Sequence, residues 1–257
     1  MIINKQKEKN HNMDTNTVRI MAVRIFKLGF DEAFMKFVKF SKGNKLRMIF
    51  TPNTEMLMIA NEDKEFENIL NESDLNIPDG YGLILASKIN QLGIVEKIAG
   101  IDFMTKILEY CNRTGASIFI LGGSEGVAEE AIKGIESAYK NIEIKGSHNG
   151  FFGEQEEYHI IDKINEKKPD ILFVALGAPK QEKWIYKNKS LLDVKVAMGV
   201  GGSIDVWAGL SKRAPKIFIN SGLEWFHRLI KQPSRIIRMM VIPKFIIKIY
   251  YDKIFNR

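Results

Sequence analysis

Apolar and polar positions along this chain switch repeatedly between two periods. From Ala116 onward the alternation is regular. Ser117–Leu121 reads as a strand, Gly122-Gly123-Ser124-Glu125-Gly126 as a turn, and Val127–Tyr139 carries helical spacing. Ile142–Ile144 reads as a short strand, Asn149-Gly150-Phe151-Phe152-Gly153 as a loop and Glu154–Lys167 as a helix. Ile171–Leu176 is the clearest strand. Gly177-Ala178-Pro179 stops it, and Lys180-Gln181-Glu182-Lys183 opens another helix. Val194–Met198 is a last strand, ending in Gly199-Val200-Gly201-Gly202-Ser203. Strands alternating with helices in this way predict a parallel sheet with right-handed crossovers.

Upstream, Val18–Leu28 reads as extended, in the manner of a hairpin. Asp31–Lys42 reads as a helix with Phe34, Phe37, Val38 and a further candidate, Met35, turned inward. Leu46–Phe50 is a short strand ending in Thr51-Pro52-Asn53, followed by one helical stretch whose apolar positions run from Met56 to Leu70. Ile77-Pro78-Asp79-Gly80-Tyr81-Gly82 leads into an apolar helix to about Leu92. Gly100-Ile101-Asp102 leads into another, with Phe103, Ile107, Leu108 and Cys111 at helical spacing. The expected fold class is α/β: a Rossmann-like open, mostly parallel sheet with helices on both faces.

After Ala214-Pro215 the character changes. Lys216–Lys231 and Ser234–Asn256 read as two or three helices broken near Pro233 and Pro243. Three parts follow: a disordered polar tail over 1–17, an α/β domain over 18–211 and a basic amphipathic C-terminal appendage over 212–257. The net charge of +7 is unevenly placed. Lys212–Arg257 holds 11 Lys/Arg against Glu224 and Asp252, or +9, while the preceding 211 residues hold 27 basic and 29 acidic groups, or −2. With Lys244, Lys248 and Lys253 set among many apolar side chains, the appendage resembles a segment that lies on an anionic membrane surface, the alternative being a helix packed on its own domain with its lysines in water. No run reaches the ~18 apolar residues that a spanning helix needs. The tail reads as no secretory signal, and a single cysteine excludes an intrachain disulfide and points to a reducing compartment.

The strand ends carry the candidate chemistry. In open α/β sheets, ligands sit outside the carboxyl ends of the strands. Gly177 lets backbone approach a ligand, Pro179 fits a first helical turn, and Gln181 and Glu182 are placed to touch what binds there. Gly122 and Gly123 lie in a strand-to-helix turn suited to an anion, although the spacing G-G-x-x-G is not a full dinucleotide fingerprint. A phosphate or sugar-nucleotide fits that turn better than a dinucleotide cofactor. Asp79 stands at the rim of the core, where a carboxylate can act as general base or merely shape a turn. Thr51 and Asn53 suit hydrogen bonds to a sugar or a helix cap, and Asp205, beyond Gly201, is open between cap and ligand contact. The four histidines are scattered, and no metal-ligand spacing or serine-hydrolase elbow is present. Charge on a leaving phosphate would then be met by arginines and backbone amides.

Together these segments resemble the WecG/TagA/CpsF family of bacterial glycosyltransferases. The matching pieces are Thr51-Pro52-Asn53, Pro78-Asp79-Gly80-Tyr81-Gly82, Ala99-Gly100-Ile101-Asp102, Leu121-Gly122-Gly123 and Asn149-Gly150-Phe151-Phe152. Beyond them come Gly177-Ala178-Pro179-Lys180-Gln181-Glu182, Gly199-Val200-Gly201-Gly202-Ser203-Ile204-Asp205, Ala208-Gly209, Arg213-Ala214-Pro215 and Gly222-Leu223-Glu224-Trp225 with Arg228-Leu229. Lys97 stands where arginine is expected, and Ile204 where phenylalanine is usual.

The resemblance implies inverting transfer of N-acetylmannosamine from UDP-N-acetylmannosamine to N-acetylglucosamine on undecaprenyl diphosphate, the linkage-unit step of wall teichoic acid synthesis. It implies a cytoplasmic protein held peripherally at the inner face of the cell membrane, with no metal and no cofactor. Asp79 becomes the base, Thr51 orients the sugar, and Gln181 contacts substrate. Asn53, Gly122, Gly123, Gly177, Pro179, Glu182, Gly201 and Asp205 complete the binding surface, and Arg228, Arg235 and Arg238 neutralise diphosphate from the appendage. A related donor, such as UDP-N-acetylmannosaminuronic acid or a UDP-hexose, is the nearest alternative. A non-catalytic membrane- or nucleic-acid-binding module is the distant one, disfavoured by the strand-end motifs, so no nucleic-acid partner is expected. Self-association as a homo-oligomer stays open.

Overall fold

The computed structural model describes residues 16–215, 217–218, 224–231 and 240–255, without the side chains of 225, 228 and 231. The expected tail lies almost wholly outside these residues, as do Arg235, Arg238, the Pro233 break and the side chain of Arg228.

A hairpin opens the fold: β1 (Thr17–Ile20) pairs antiparallel with β2 (Val23–Phe26). Its turn residues Met21 and Ala22 both have positive φ, 49° and 66°, as tight two-residue hairpin turns require. The main sheet comprises β3 (Arg47–Phe50), β4 (Leu75–Asn76), β5 (Ser117–Gly122), β6 (Glu143–His148), β7 (Ile171–Ala175) and β8 (Val196–Gly199). Its order is β4-β3-β8-β7-β5-β6 and every pairing is parallel. The last strand in sequence is thus central, between β3 and β7.

Helices cover both faces, as expected. One layer holds α2 (Thr54–Glu62), α3 (Lys64–Glu72), α4 (Tyr81–Asn90), α7 (Glu154–Lys167) and α8 (Lys180–Asn188); the other holds α1 (Phe30–Ser41), α5 (Gly100–Thr114), α6 (Val127–Ala138) and α9 (Ser203–Trp207). Strand residues alternate between them: Leu172 and Val174 pack into the first layer, Ile171 and Phe173 into the second. All of β7 is buried, which is why it reads as a continuous apolar run rather than an alternating one.

Several expectations are corrected. The single helix over 56–70 is two, because Asp63 takes an extended conformation and caps the second by accepting from the Phe66 N–H at 3.0 Å. Met35 is 63% exposed while Phe37 is buried. The two-residue strand β4 has too few residues to show a period. Pro243 lies in the first turn of the final helix, Val241–Phe255, where no backbone N–H is required, so that helix starts near it as expected. That helix packs through Phe245 and Ile249 into the same layer as α2 and α4.

The amino edge of the sheet is fastened by Asp170. It accepts from Ser117 N at 2.8 Å, Ser117 Oγ at 3.0 Å and Lys195 Nζ at 2.6 Å. Burial raises its pKa but the Lys195 and Ser117 hydrogen bonds outweigh that and hold it below the ordinary value.

Candidate active site

The motif loops that follow β3, β4, β5, β6, β7 and β8 all leave the carboxyl edge of the sheet. Thr51-Pro52-Asn53 follows β3 and Ile77–Gly80 follows β4, and the two are joined by a hydrogen bond from Asp79 N to Pro52 O at 2.9 Å. Ile98 N donates to Pro78 O at 2.9 Å, fastening the turn from the other side. Asp79 and Thr51 are half-buried here, neither lost in the core nor fully in water. Gly100, at the start of α5, sits against Thr51: a Cβ there would lie 3.3 Å from Thr51 Oγ1. Asn53 realises the capping alternative, its Oδ1 accepting from Met56 N at 3.1 Å.

Three further loops form an interlocked clasp. Gly123 N donates to Ala175 O at 3.0 Å, and Gly150 N to Gly123 O at 2.8 Å. Gly122 has φ of 134°, and a Cβ on it would fall 2.3 Å from Ala175 O; a Cβ on Gly123 would fall 2.8 Å from Ile204 Cδ1. Close backbone approach demands glycine at 122, and a φ of 77° with packed side chains favours it at 123. Beside the clasp, Lys180 Nζ stands 5.5 Å from the Phe152 ring centroid.

The β7–α8 loop divides its residues between surface and interior. Gly177 is exposed with open space where a Cβ would be, and Pro179, after a cis peptide bond, is half-buried. Gln181 is 5% exposed and its amide is used internally: Oε1 accepts from Gly201 N at 3.0 Å, and Nε2 donates to Glu182 Oε1 at 2.7 Å. Glu182 is 0% exposed, and its Oε2 has no hydrogen-bond partner among the described residues. Burial pushes its pKa up to about 7 from an ordinary 4.5, against the lowering effect of the Gln181 hydrogen bond. Glu182, expected to touch ligand, has its carboxyl buried against β8, because helical periodicity turns it inward. Gly199 makes room for it, since a Cβ there would lie 2.8 Å from Gln181 Nε2 and 3.1 Å from Glu182 Oε1. Asp205 is half-buried in the first turn of α9.

The appendage reaches this edge through contacts that sequence reading did not find. Lys97 Nζ pairs with Glu224 Oε2 at 3.1 Å, and Arg213 pairs with Asp102. Phe245 of the final helix meets α4 at Gly82, and Lys253 Nζ donates to Ile89 O at 2.6 Å. All four contacts fall between Gly82 and Asp102, the segment that follows the Asp79 turn. The unusual lysine at 97 was the visible signal; its partner, 127 residues away, was not. Among the described residues, no three His, Cys, Asp or Glu side chains cluster to hold a metal ion, and no helix is long and apolar enough to cross a membrane.

Comparison with known proteins identifies the chain's relatives. A family model described as "Glycosyl transferase WecG/TagA/CpsF family" matches residues 18–257. A protein of Bacillus spizizenii is 38% identical over 203 residues, covering 79% of this chain and 78% of its own. A Bacillus subtilis protein is 36% identical over 206 residues, covering 80% of each chain. A Staphylococcus aureus protein is 34% identical over 201 residues, covering 78% of each. All three carry the name N-acetylglucosaminyldiphosphoundecaprenol N-acetyl-beta-D-mannosaminyltransferase.

Proposed function

The chain belongs to the WecG/TagA/CpsF family of glycosyltransferases, and on that premise we propose that it moves N-acetylmannosamine from UDP-N-acetylmannosamine to N-acetylglucosamine on undecaprenyl diphosphate, forming the linkage unit of wall teichoic acid. The acceptor hydroxyl oxygen attacks the anomeric carbon while Asp79 takes the hydroxyl proton. The bond from that carbon to the diphosphate oxygen breaks, and UDP leaves with the electron pair, inverting the anomeric centre. Thr51, beside the Asp79 turn, orients a sugar hydroxyl. Gln181 holds Gly201 and so joins the loop after β8 to the loop from which Gly177 and Pro179 meet the substrate. The exposed amides after Gly122-Gly123 and the appendage arginines Arg228, Arg235 and Arg238 meet the diphosphate charge without a metal. A preorganised donor of this kind is worth about 2.7–4 kcal/mol to a transition state.

The observation that carries the reading is the joining of the Thr51 and Asp79 loops by the Asp79 N–H to Pro52 O bond. It supports the reading by holding the Asp79 and Thr51 loops side by side on the carboxyl edge, where parallel sheets bind ligands. The test is UDP release with a short-chain lipid-diphosphate acceptor in the presence of chelator. Wild type turns over, and Asp79→Asn retains UDP binding but loses turnover by on the order of 10²–10⁴-fold. Loss of UDP binding in a folded Asp79→Asn protein would remove Asp79 from the role of base.

The protein sits peripherally on the inner membrane face. Support comes from the +9 appendage and from its final helix, where Ile247 is 69%, Tyr251 57% and Ile254 65% exposed at helical spacing. Flotation with anionic vesicles tests this: Ile247→Asp with Ile254→Asp should abolish binding, and undiminished binding would reassign the surface.

A further inference from the structure

We propose that Lys97 and Glu224 form a docking latch that seats the appendage helix Glu224–Lys231 on the Asp79 turn, making both positioning residues for the transfer; the catalytic consequence rests on the glycosyltransferase reading above. The ion pair spans 3.1 Å, and each side chain is only 14% exposed. Exposed ion pairs contribute little. A shielded pair is different, because removing one partner strands the other charge out of water. This geometry therefore selects one seating of the helix over many.

Lys97 is itself held to the catalytic turn. Its ammonium lies 5.7 Å from the centroid of the Tyr81 ring, two residues beyond Asp79. The adjoining residue, Ile98, donates its N–H to Pro78 O at 2.9 Å, so the lysine backbone moves with the turn. On the other side, Glu224 is the first residue of its helix, where a carboxylate is favoured by the exposed amides. Arg228 follows one helical turn later. Fixing Glu224 thus fixes the position from which that arginine extends. The Arg213–Asp102 pair anchors the start of the connection into this helix, on the segment that also carries Gly100 against Thr51. Two ion pairs thereby tie the appendage to the segment from Lys97 to Asp102, which itself packs on the Asp79 turn and on Thr51.

The test uses the full chain and four variants: Lys97→Glu, Glu224→Lys, the double swap, and Lys97→Arg. UDP release is measured beside amide hydrogen exchange over residues 224–231. Each single reversal should raise exchange and lower kcat/KM by roughly 10- to 100-fold, within the span of coupling between contacting residues. The double swap should restore both readouts to within a few-fold of wild type, and Lys97→Arg should retain both. If the double swap restores exchange protection but not turnover, Lys97 touches substrate instead of positioning the helix, and the proposal falls. It falls equally if the single reversals leave exchange unchanged. A wild type that protects the helix through this pair yet releases no UDP would overturn the reaction reading while leaving the docking contact standing.

Discussion

Glu182 gives the sharpest physical prediction because its environment is so closed. The carboxyl is fully buried, one oxygen lacks a partner among the described residues, and its pKa is raised to about 7 from 4.5. Between those values the folded protein retains a proton that the unfolded chain has released. Stability is therefore complete below about pH 4.5 and declines by about 1.4 kcal/mol per pH unit until the folded group ionises. The loss across the window is about 3 kcal/mol, with the sign opposite to that of an ion-paired carboxylate. Glu182→Gln keeps the shape and the acceptor for Gln181 but cannot ionise. Urea unfolding followed by tryptophan fluorescence from pH 4.5 to pH 8 should show the decline in wild type and a flat profile in the variant. The two should agree at the acid end, with the variant ahead by about 3 kcal/mol at pH 8. Equal slopes in both proteins would refute the idea that Glu182 is folded in as a neutral acid.

Asp170 should behave in the opposite sense: its pKa is held low, so its contribution is present at neutral pH and lost as pH falls below about 4. Asp170→Asn should cost about 2 kcal/mol at pH 7 by losing charged hydrogen bonds, and should flatten the acid limb of the unfolding curve. Gly122→Ala should cost on the order of 3 kcal/mol in urea unfolding, since its methyl group meets Ala175 O and its φ of 134° disfavours a side chain. Phe245→Ala should cost about 3–5 kcal/mol from cavity formation and raise hydrogen exchange along Val241–Phe255, checked by mass spectrometry.

The sheet and its helices were legible wherever burial imposes a strong period. Ile171–Ala175 is apolar throughout because helices cover both of its faces, and α7 matches its expected span, Glu154–Lys167. The break at Asp63 was hidden because the apolar stripe continues through it and a single aspartate can cap without interrupting the pattern. The candidate site was legible as strand-end motifs, yet their division of labour was not. Gly122, Gly123 and Gly199 read as ligand-approach residues or as plain turn glycines, whereas each makes room for neighbouring protein atoms. Gln181 and Glu182 adjoin an exposed loop in sequence but point inward, a choice set by the register of α8 on β8. Long-range ion pairs such as Lys97–Glu224 leave no local pattern at all.

The central position of β8 has a consequence for the birth of the protein. While the chain is being synthesised, β3 with β4 and β5 with β6 and β7 can assemble as two separate ribbons, but no strand joins them into one sheet until Val196–Gly199 arrives. Parallel pairings of such distant segments are slow to form. The Asp79 side and the Gly122 side of the cleft therefore come together only near the end of translation. In a nascent or truncated chain that lacks Val196–Gly199 the loops of the candidate site hang from two unjoined ribbons, and the final strand is the keystone that brings them onto one edge.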